Sequence, residues 1–190
     1  MPFDYNPESP HQTSFSVTPG GIQRITSETL TRPADTTAYA QYDLVANSTT
    51  AGSVVATEIK NAVRRRTPQE ALRIEQIRLR KSGTSLTNAS FRVYILQAQP
   101  GSFSVGDNAQ LNTSGALGID TIVPVVGWFD VVMDRSATAG AQGIGVSSNG
   151  NALAAKPTAG TSLWFIIEAS AAYTPASGET FVVDLEGQWA

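Results

Sequence analysis

The chain of 190 residues contains no cysteine. That absence excludes disulfide frameworks, cysteine-ligated zinc, iron–sulfur clusters and thiol catalysis together. Histidine is nearly missing too: His11 is the only one, and it stands among Pro7, Pro10 and Pro19. A general base must be held within roughly 2.6–3.2 Å of the proton it takes, and nothing in that stretch would hold an imidazole in place. A Ser-His-Asp device is therefore not expected. Charge is sparse, at 15% of residues against about 25% in an average domain. The net charge of −3 argues against the whole chain binding a polyanion. No run approaches the roughly 18 apolar residues of a membrane span, and residues 1–20 lack the basic start and apolar block of a secretory signal.

What is abundant is small. Ala, Thr, Ser and Gly make up 78 of the 190 residues, which favours turns and closely packed strands over long solvated helices. The length suits one domain of about 100–200 residues, which can bury about 70% of its unfolded surface without a staple. Residues 1–21 carry four of the ten prolines and few aliphatics, too little apolar surface to fold alone. They read as an extended arm, either a frayed end or a segment ordered by a neighbouring subunit with Phe3, Tyr5 and Phe15 as anchors. Residues 22–190 read as a single domain.

From Ile22 onward the apolar spacing is mostly period two: Phe91, Val93, Ile95; Trp128, Phe129, Val131, Met133; Phe181, Val183, Leu185. That is the pattern of half-buried strands. Residues 163–167 (Leu-Trp-Phe-Ile-Ile) are continuously apolar, which predicts a strand covered on both faces at the centre of a sheet. Between the runs lie polar clusters such as 47–52 and 147–151, the second with an Asn-Gly pair suited to a hairpin turn. Thr67-Pro68-Gln69-Glu70 has capping-box spacing and favours a helix over 71–81 locally. On a helical wheel, however, Leu72 and Leu79 fall opposite Ile74 and Ile77, so no apolar face forms. As a strand, Leu72/Ile74 and Ile77/Leu79 each alternate, and one bulge at Glu75-Gln76 reconciles their phases. The expectation is eight to ten strands forming an all-β fold, an antiparallel β-sandwich of jelly-roll type.

Candidate chemistry is thin. Asp130 and Asp134 would lie about 13 Å apart along one strand face, beyond the roughly 5–9.5 Å of glycosidase carboxylates, and read as solvated charges. Asp107-Asn108 offers two adjacent oxygen donors where a calcium loop gathers several at fixed offsets, and reads as a turn. Gly140, Gly143 and Gly145 lack the Lys and Ser/Thr of a phosphate loop and read as a flexible or tightly turning loop. Neither a catalytic residue nor a metal or other cofactor is expected.

Charge distribution is more informative. Segment 60–92 holds nine of the thirteen basic residues and two acidic ones, for a net +7, whereas 1–59 carries −4 and 93–190 carries −6. Within it, Arg64, Arg65, Arg66, Arg73, Arg78 and Arg80 are candidates for docking an acidic protein surface; the alternative is pairing with acidic strands of the same fold. Nucleic acid is disfavoured, because no aromatic lies between Lys60 and Ser90 to stack bases.

Three blocks resemble small structural proteins of tailed bacteriophages: Thr31-Arg32-Pro33-Ala34-Asp35-Thr36-Thr37-Ala38-Tyr39-Ala40 with Tyr42-Asp43-Leu44-Val45; Leu72 to Gly83; and Ala172 to Phe181. By analogy with β-rich capsid cement proteins, the resemblance implies a head decoration protein on the outside of the virion. Its partners would be the major capsid protein and its own copies in a homotrimer, with no membrane involved. The blocks are strand and turn patterns without catalytic signatures, so no site residue is carried over. A tail or adhesin module binding host glycans through Trp128, Trp164 or Trp189 is the alternative, and a nucleic-acid-binding phage protein a third.

Overall fold

A computed structural model describes residues 23–63, 71–101, 103–111, 125–147 and 150–189. Among them there is no helix, and eleven strands form two antiparallel sheets. In chain order they are β1 (Gln23–Thr31), β2 (Leu44–Val45), β3 (Thr57–Ile59), β4 (Leu72–Lys81), β5 (Ser90–Leu96), β6 (Val125–Val132), β7 (Arg135–Ala137), β8 (Gly140–Val146), β9 (Leu153–Ala155), β10 (Leu163–Ala169) and β11 (Thr180–Trp189). The first sheet runs β1-β11-β4-β8-β7, with β9 also pairing β4; the second runs β2-β10-β5-β6, with β3 also pairing β10. The arm residues Phe3, Tyr5 and Phe15 lie outside the described residues.

The alternating residues of the two sheets meet in one core. Phe91, Val93 and Ile95 of β5, Phe129 and Val131 of β6, and Phe181, Val183 and Leu185 of β11 are all at most 1% exposed and belong to one core. At its centre Phe91 meets Tyr173 edge-on at 5.3 Å and Phe181 at 5.1 Å between ring centroids. Such pairs add about 0.5–1.5 kcal/mol to the burial itself. The continuous apolar run is β10, flanked by β5 on one side and by β2 and β3 on the other. Leu163, Phe165 and Ile167 enter the main core, while Ile166 and the half-buried Trp164 join a second, smaller cluster with Leu44, Tyr94, Leu96, Phe103 and Leu111. Loops therefore cover the outer face of this sheet, which explains why its central strand is apolar in both phases.

β4 is a strand with the expected bulge. Gln76 lies opposite Glu186 and Ile74 opposite Gly187, so Glu75 is the extra residue. The shift puts Leu72, Ile74, Ile77 and Leu79 all in the core, each fully buried. Gly187 faces the bulge closely: a Cβ there would press into the carbonyl of Arg73 and stand 3.0 Å from Ile74 Cα. The helix signal at Thr67–Glu70 lies outside the described residues, and 71–81 is pulled into the sheet because no helical face could bury both leucine–isoleucine pairs.

One turn expectation is corrected. Gly140, Gly143 and Gly145 are not a loop but begin, punctuate and line β8. A Cβ on Gly145 would lie 2.7 Å from Val131 Cγ2 and 2.9 Å from the Asp130 carbonyl, and one on Gly143 would press into the Val132 carbonyl. The glycines let β6 and β8 meet backbone to backbone, bridged at Phe129 and Ser147, where the two sheets close on one another. β8 and β9, on either side of the Asn-Gly segment, pair successively along the same edge of β4 and not with each other. At the opposite corner β1 approaches β3, and the Lys60 amide reaches Glu28 Oε1 at 3.4 Å.

Candidate interaction surfaces

The three resembling blocks come together at one end of the sandwich. Tyr39 and Tyr173 form a β-bridge, the Arg32 amide donates to the Glu179 carbonyl at 3.1 Å, and the Gly178 amide to the Pro33 carbonyl at 3.2 Å. Each block contributes to one of two buried cation–tyrosine–carboxylate clusters. In the first, the Arg32 guanidinium donates to Asp107 Oδ2 at 2.8 Å and to the Tyr39 hydroxyl, which itself donates to Asp107 Oδ1 at 2.7 Å. The Ala46 amide also donates to Asp107, at 2.7 Å. Asp107 lies in the turn the sequence suggested, and its carboxylate also anchors the loop 103–111 against the first block. In the second, Lys81 Nζ donates to the Tyr173 hydroxyl at 2.7 Å, Glu179 Oε1 at 3.1 Å and the Gly83 carbonyl at 2.9 Å. Both ion pairs have side chains fully out of solvent. In each the cation also lies 4.8 Å from the tyrosine ring centroid.

Burial sets the electrostatics here. Desolvation, with carboxylates alongside, raises the pKa of Tyr39 and Tyr173 far above the ordinary phenol value. Desolvation lowers the pKa of Lys81, partly offset by Glu179. Asp43 is raised by burial against the pull of the Ala40 amide.

The candidate docking residues divide into two groups. Arg64, Arg65 and Arg66 lie outside the described residues. Arg73, Arg78 and Arg80 share the outward face of β4, and each has an acidic partner: Arg73 with Glu75 at 3.0 Å, Arg78 with Glu186 at 3.2 Å, and Arg80 with Asp184 through two bonds at 3.0 and 3.1 Å. The charge of β4 is thus largely paired in space, with β11 supplying Asp184 and Glu186 beside Arg80 and Arg78. On the other sheet Arg92 holds Asp130 through bonds of 2.7 and 3.2 Å and lies 5.3 Å from the Trp128 ring centroid. Asp130 is accordingly an ion-pair partner, while Asp134, two residues past the end of β6, is exposed.

Of the tryptophans, Trp128 is 36% exposed, Trp164 is half-buried, and Trp189 packs on the main core with its indole N–H donating to the Ala62 carbonyl at 3.2 Å. Sequence reasoning missed two features of this surface. One is a groove of about 550 Å³ beside the β7–β8 hairpin, where Arg80, Arg135, Ser82, Ser136, Gln142 and Thr180 converge. The other is a set of exposed aliphatics, Val132 at 65%, Ile144 at 52% and Val146 at 60%. Their period-two alternation was visible, but it did not say which phase faces out. Among the described residues no group of three or more His, Cys, Asp or Glu is placed to hold a metal ion. No family model, curated protein or solved structure matches the chain.

Proposed function

We propose that this protein is a structural component of a tailed-phage virion, a decoration protein that binds the outside of the head and stabilises the capsid lattice as a homotrimer. The observation that carries the reading is the meeting of the three phage-like blocks at one end of the fold, where Lys81 of the second joins Tyr173 and Glu179 of the third in a buried polar cluster and Tyr39 of the first bridges Tyr173. Blocks far apart in sequence make one structural unit, as expected if the resemblance belongs to a fold and not to chance composition. The finer fold assignment is a jelly roll. Its support is the strand order, in which β1-β11-β4-β8 face β2/β3-β10-β5-β6, and the chain crosses between sheets from β1 to β2, β3 to β4, β4 to β5, β6 to β7, β9 to β10 and β10 to β11. Jelly rolls are a common architecture of viral capsid and lectin domains.

A cement acts by binding the assembled shell in preference to its parts, so its effect follows mass action. Within this reading Arg64, Arg65 and Arg66 are the docking cations, since Arg73, Arg78 and Arg80 are already paired. Replacing Arg64, Arg65 and Arg66 jointly by Gln lowers head occupancy most visibly at raised salt and leaves the melting temperature nearly unchanged. A collapsed melting temperature assigns the three arginines to an internal network instead. Electron microscopy of virions labelled for this protein tests the location, and label at the tail tip or in the interior refutes it. The glycan-binding alternative is favoured by one feature, the exposed Trp128 with Arg92 over its ring, and label at the tail tip would select it.

A further inference from the structure

We propose that the groove beside the β7–β8 hairpin receives residues 1–22 of a second copy of this chain, so that the protein assembles by passing its N-terminal segment to a neighbour. The inference rests on the self-assembly part of the reading above and does not depend on attachment to a head. Its first support is the cross-strand register. Arg80 lies opposite Gln142, which lies opposite Arg135. Residues directly opposite in antiparallel strands share a face, so the three stand in one row on the outer side of the first sheet. Arg80 is held by Asp184, but Arg135 is exposed and forms no ion pair with any described residue. The groove of about 550 Å³ around this row is also lined by Ser82, Ser136 and Thr180. Further along the same strand face, Ile144 and Val146 are 52% and 60% exposed. The surface therefore asks for a ligand with carboxylates at one end and apolar groups along its length.

Residues 1–22 have that chemistry: Asp4 and Glu8 with no Lys or Arg, together with Phe3, Tyr5 and Phe15. Strand polarity favours a neighbour over the chain's own groove. β1 starts at Gln23 opposite Gly187 and ends at Thr31 opposite Thr180. The groove lies at the Thr180 end and across the sheet, roughly 30 Å from Gln23 by strand rise and spacing. A chain that continues backward from Gln23 along the line of β1 leaves the sheet at the far end, away from its own groove. Twenty-two extended residues span up to about 70 Å, enough to reach an adjacent copy. Such a head-to-tail contact is heterologous, and when its rotation closes it makes a ring, which is the geometry of a trimer.

The absence of cysteine makes the test direct. Two full-length variants, Ser9→Cys and Ala137→Cys, are mixed and treated with a short bis-maleimide. The expected product is a covalent dimer joining one of each variant. Adding Arg135→Glu to the Ala137→Cys chain should lower its yield about tenfold, as loss of a central interface arginine does, and weaken self-association seen by light scattering. Circular dichroism and melting temperature should stay unchanged, because Arg135 is exposed. A yield no higher than that of Ser9→Cys mixed with Thr158→Cys, an exposed position elsewhere, overturns the proposal. So does a double variant that cross-links only within one chain at every dilution, which would assign the groove to the chain's own N-terminal segment. Loss of head binding with the cross-link intact would instead remove the decoration reading and leave this one standing.

Discussion

Replacing Glu179 by Gln removes the carboxylate from a cluster with no access to water. Lys81 Nζ and Glu179 Oε1 are 3.1 Å apart with both side chains fully buried, so screening by solvent is minimal. Gln is nearly isosteric and can still accept from the Tyr173 hydroxyl, so the perturbation is the loss of charge and not of volume. Lys81 then has neutral acceptors only, the amide oxygen at 179, the Tyr173 hydroxyl and the Gly83 carbonyl. Leaving one member of a buried pair uncompensated costs about 3–5 kcal/mol. Each kcal/mol moves the melting temperature of a chain this size by about 2–4 °C, so the expected loss is roughly 6–20 °C. Lys81→Met alone should cost a similar amount, because Glu179 is then the stranded charge. The double variant removes both charges and should lie nearer the parent than either single variant does. Thermal and urea unfolding followed by circular dichroism and tryptophan fluorescence measures all three. If Glu179→Gln costs less than about 1 kcal/mol, or if the double variant falls by the sum of the singles, the cluster is not the coupled unit the geometry describes.

Two of the three buried tyrosines set an alkaline limit. Tyr39 and Tyr173 have folded-state pKa values raised above the unfolded value of about 10. The native state therefore holds protons that the unfolded chain releases, and their contribution to stability, complete below about pH 10, declines as pH rises further. Tyrosinate absorbance on titration should show these two groups ionising only together with unfolding, and ionisation of all five tyrosines in the native protein would contradict this. At the sheet corner, Gly145→Val places a side chain against Val131 and the Asp130 carbonyl, and overpacking of this kind costs about 1–3 kcal/mol. Exposed Gly101, where a Cβ would meet nothing within 4 Å, should tolerate the same change within about 0.5 kcal/mol; equal losses at both positions in urea unfolding would show that the glycine effect is not the close approach of β6 and β8.

Alternation by itself determined the class of fold. Phe91, Val93 and Ile95, or Phe181, Val183 and Leu185, can bury one face only as strands, and the mismatch of Leu72/Ile74 with Ile77/Leu79 placed the bulge at Glu75-Gln76. Side-chain period is a local property, and local geometry converts it directly into a buried face. The role of charged and small residues was not legible in the same way. Arg78 and Glu186 are 108 positions apart in the chain, and only the placement of β11 beside β4 turned a basic segment into a paired face. Gly143 and Gly145 resembled a loop because glycine signals freedom of the backbone, whereas their use here is to let a second strand come close, a demand made by β6. Asp107 was legible as a turn residue, but its buried partners Arg32 and Tyr39 reach it only across the fold. Ion pairs and close approaches depend on which strands become neighbours, and strand order is decided by the packing of the whole sandwich, not by the period of any one of its strands.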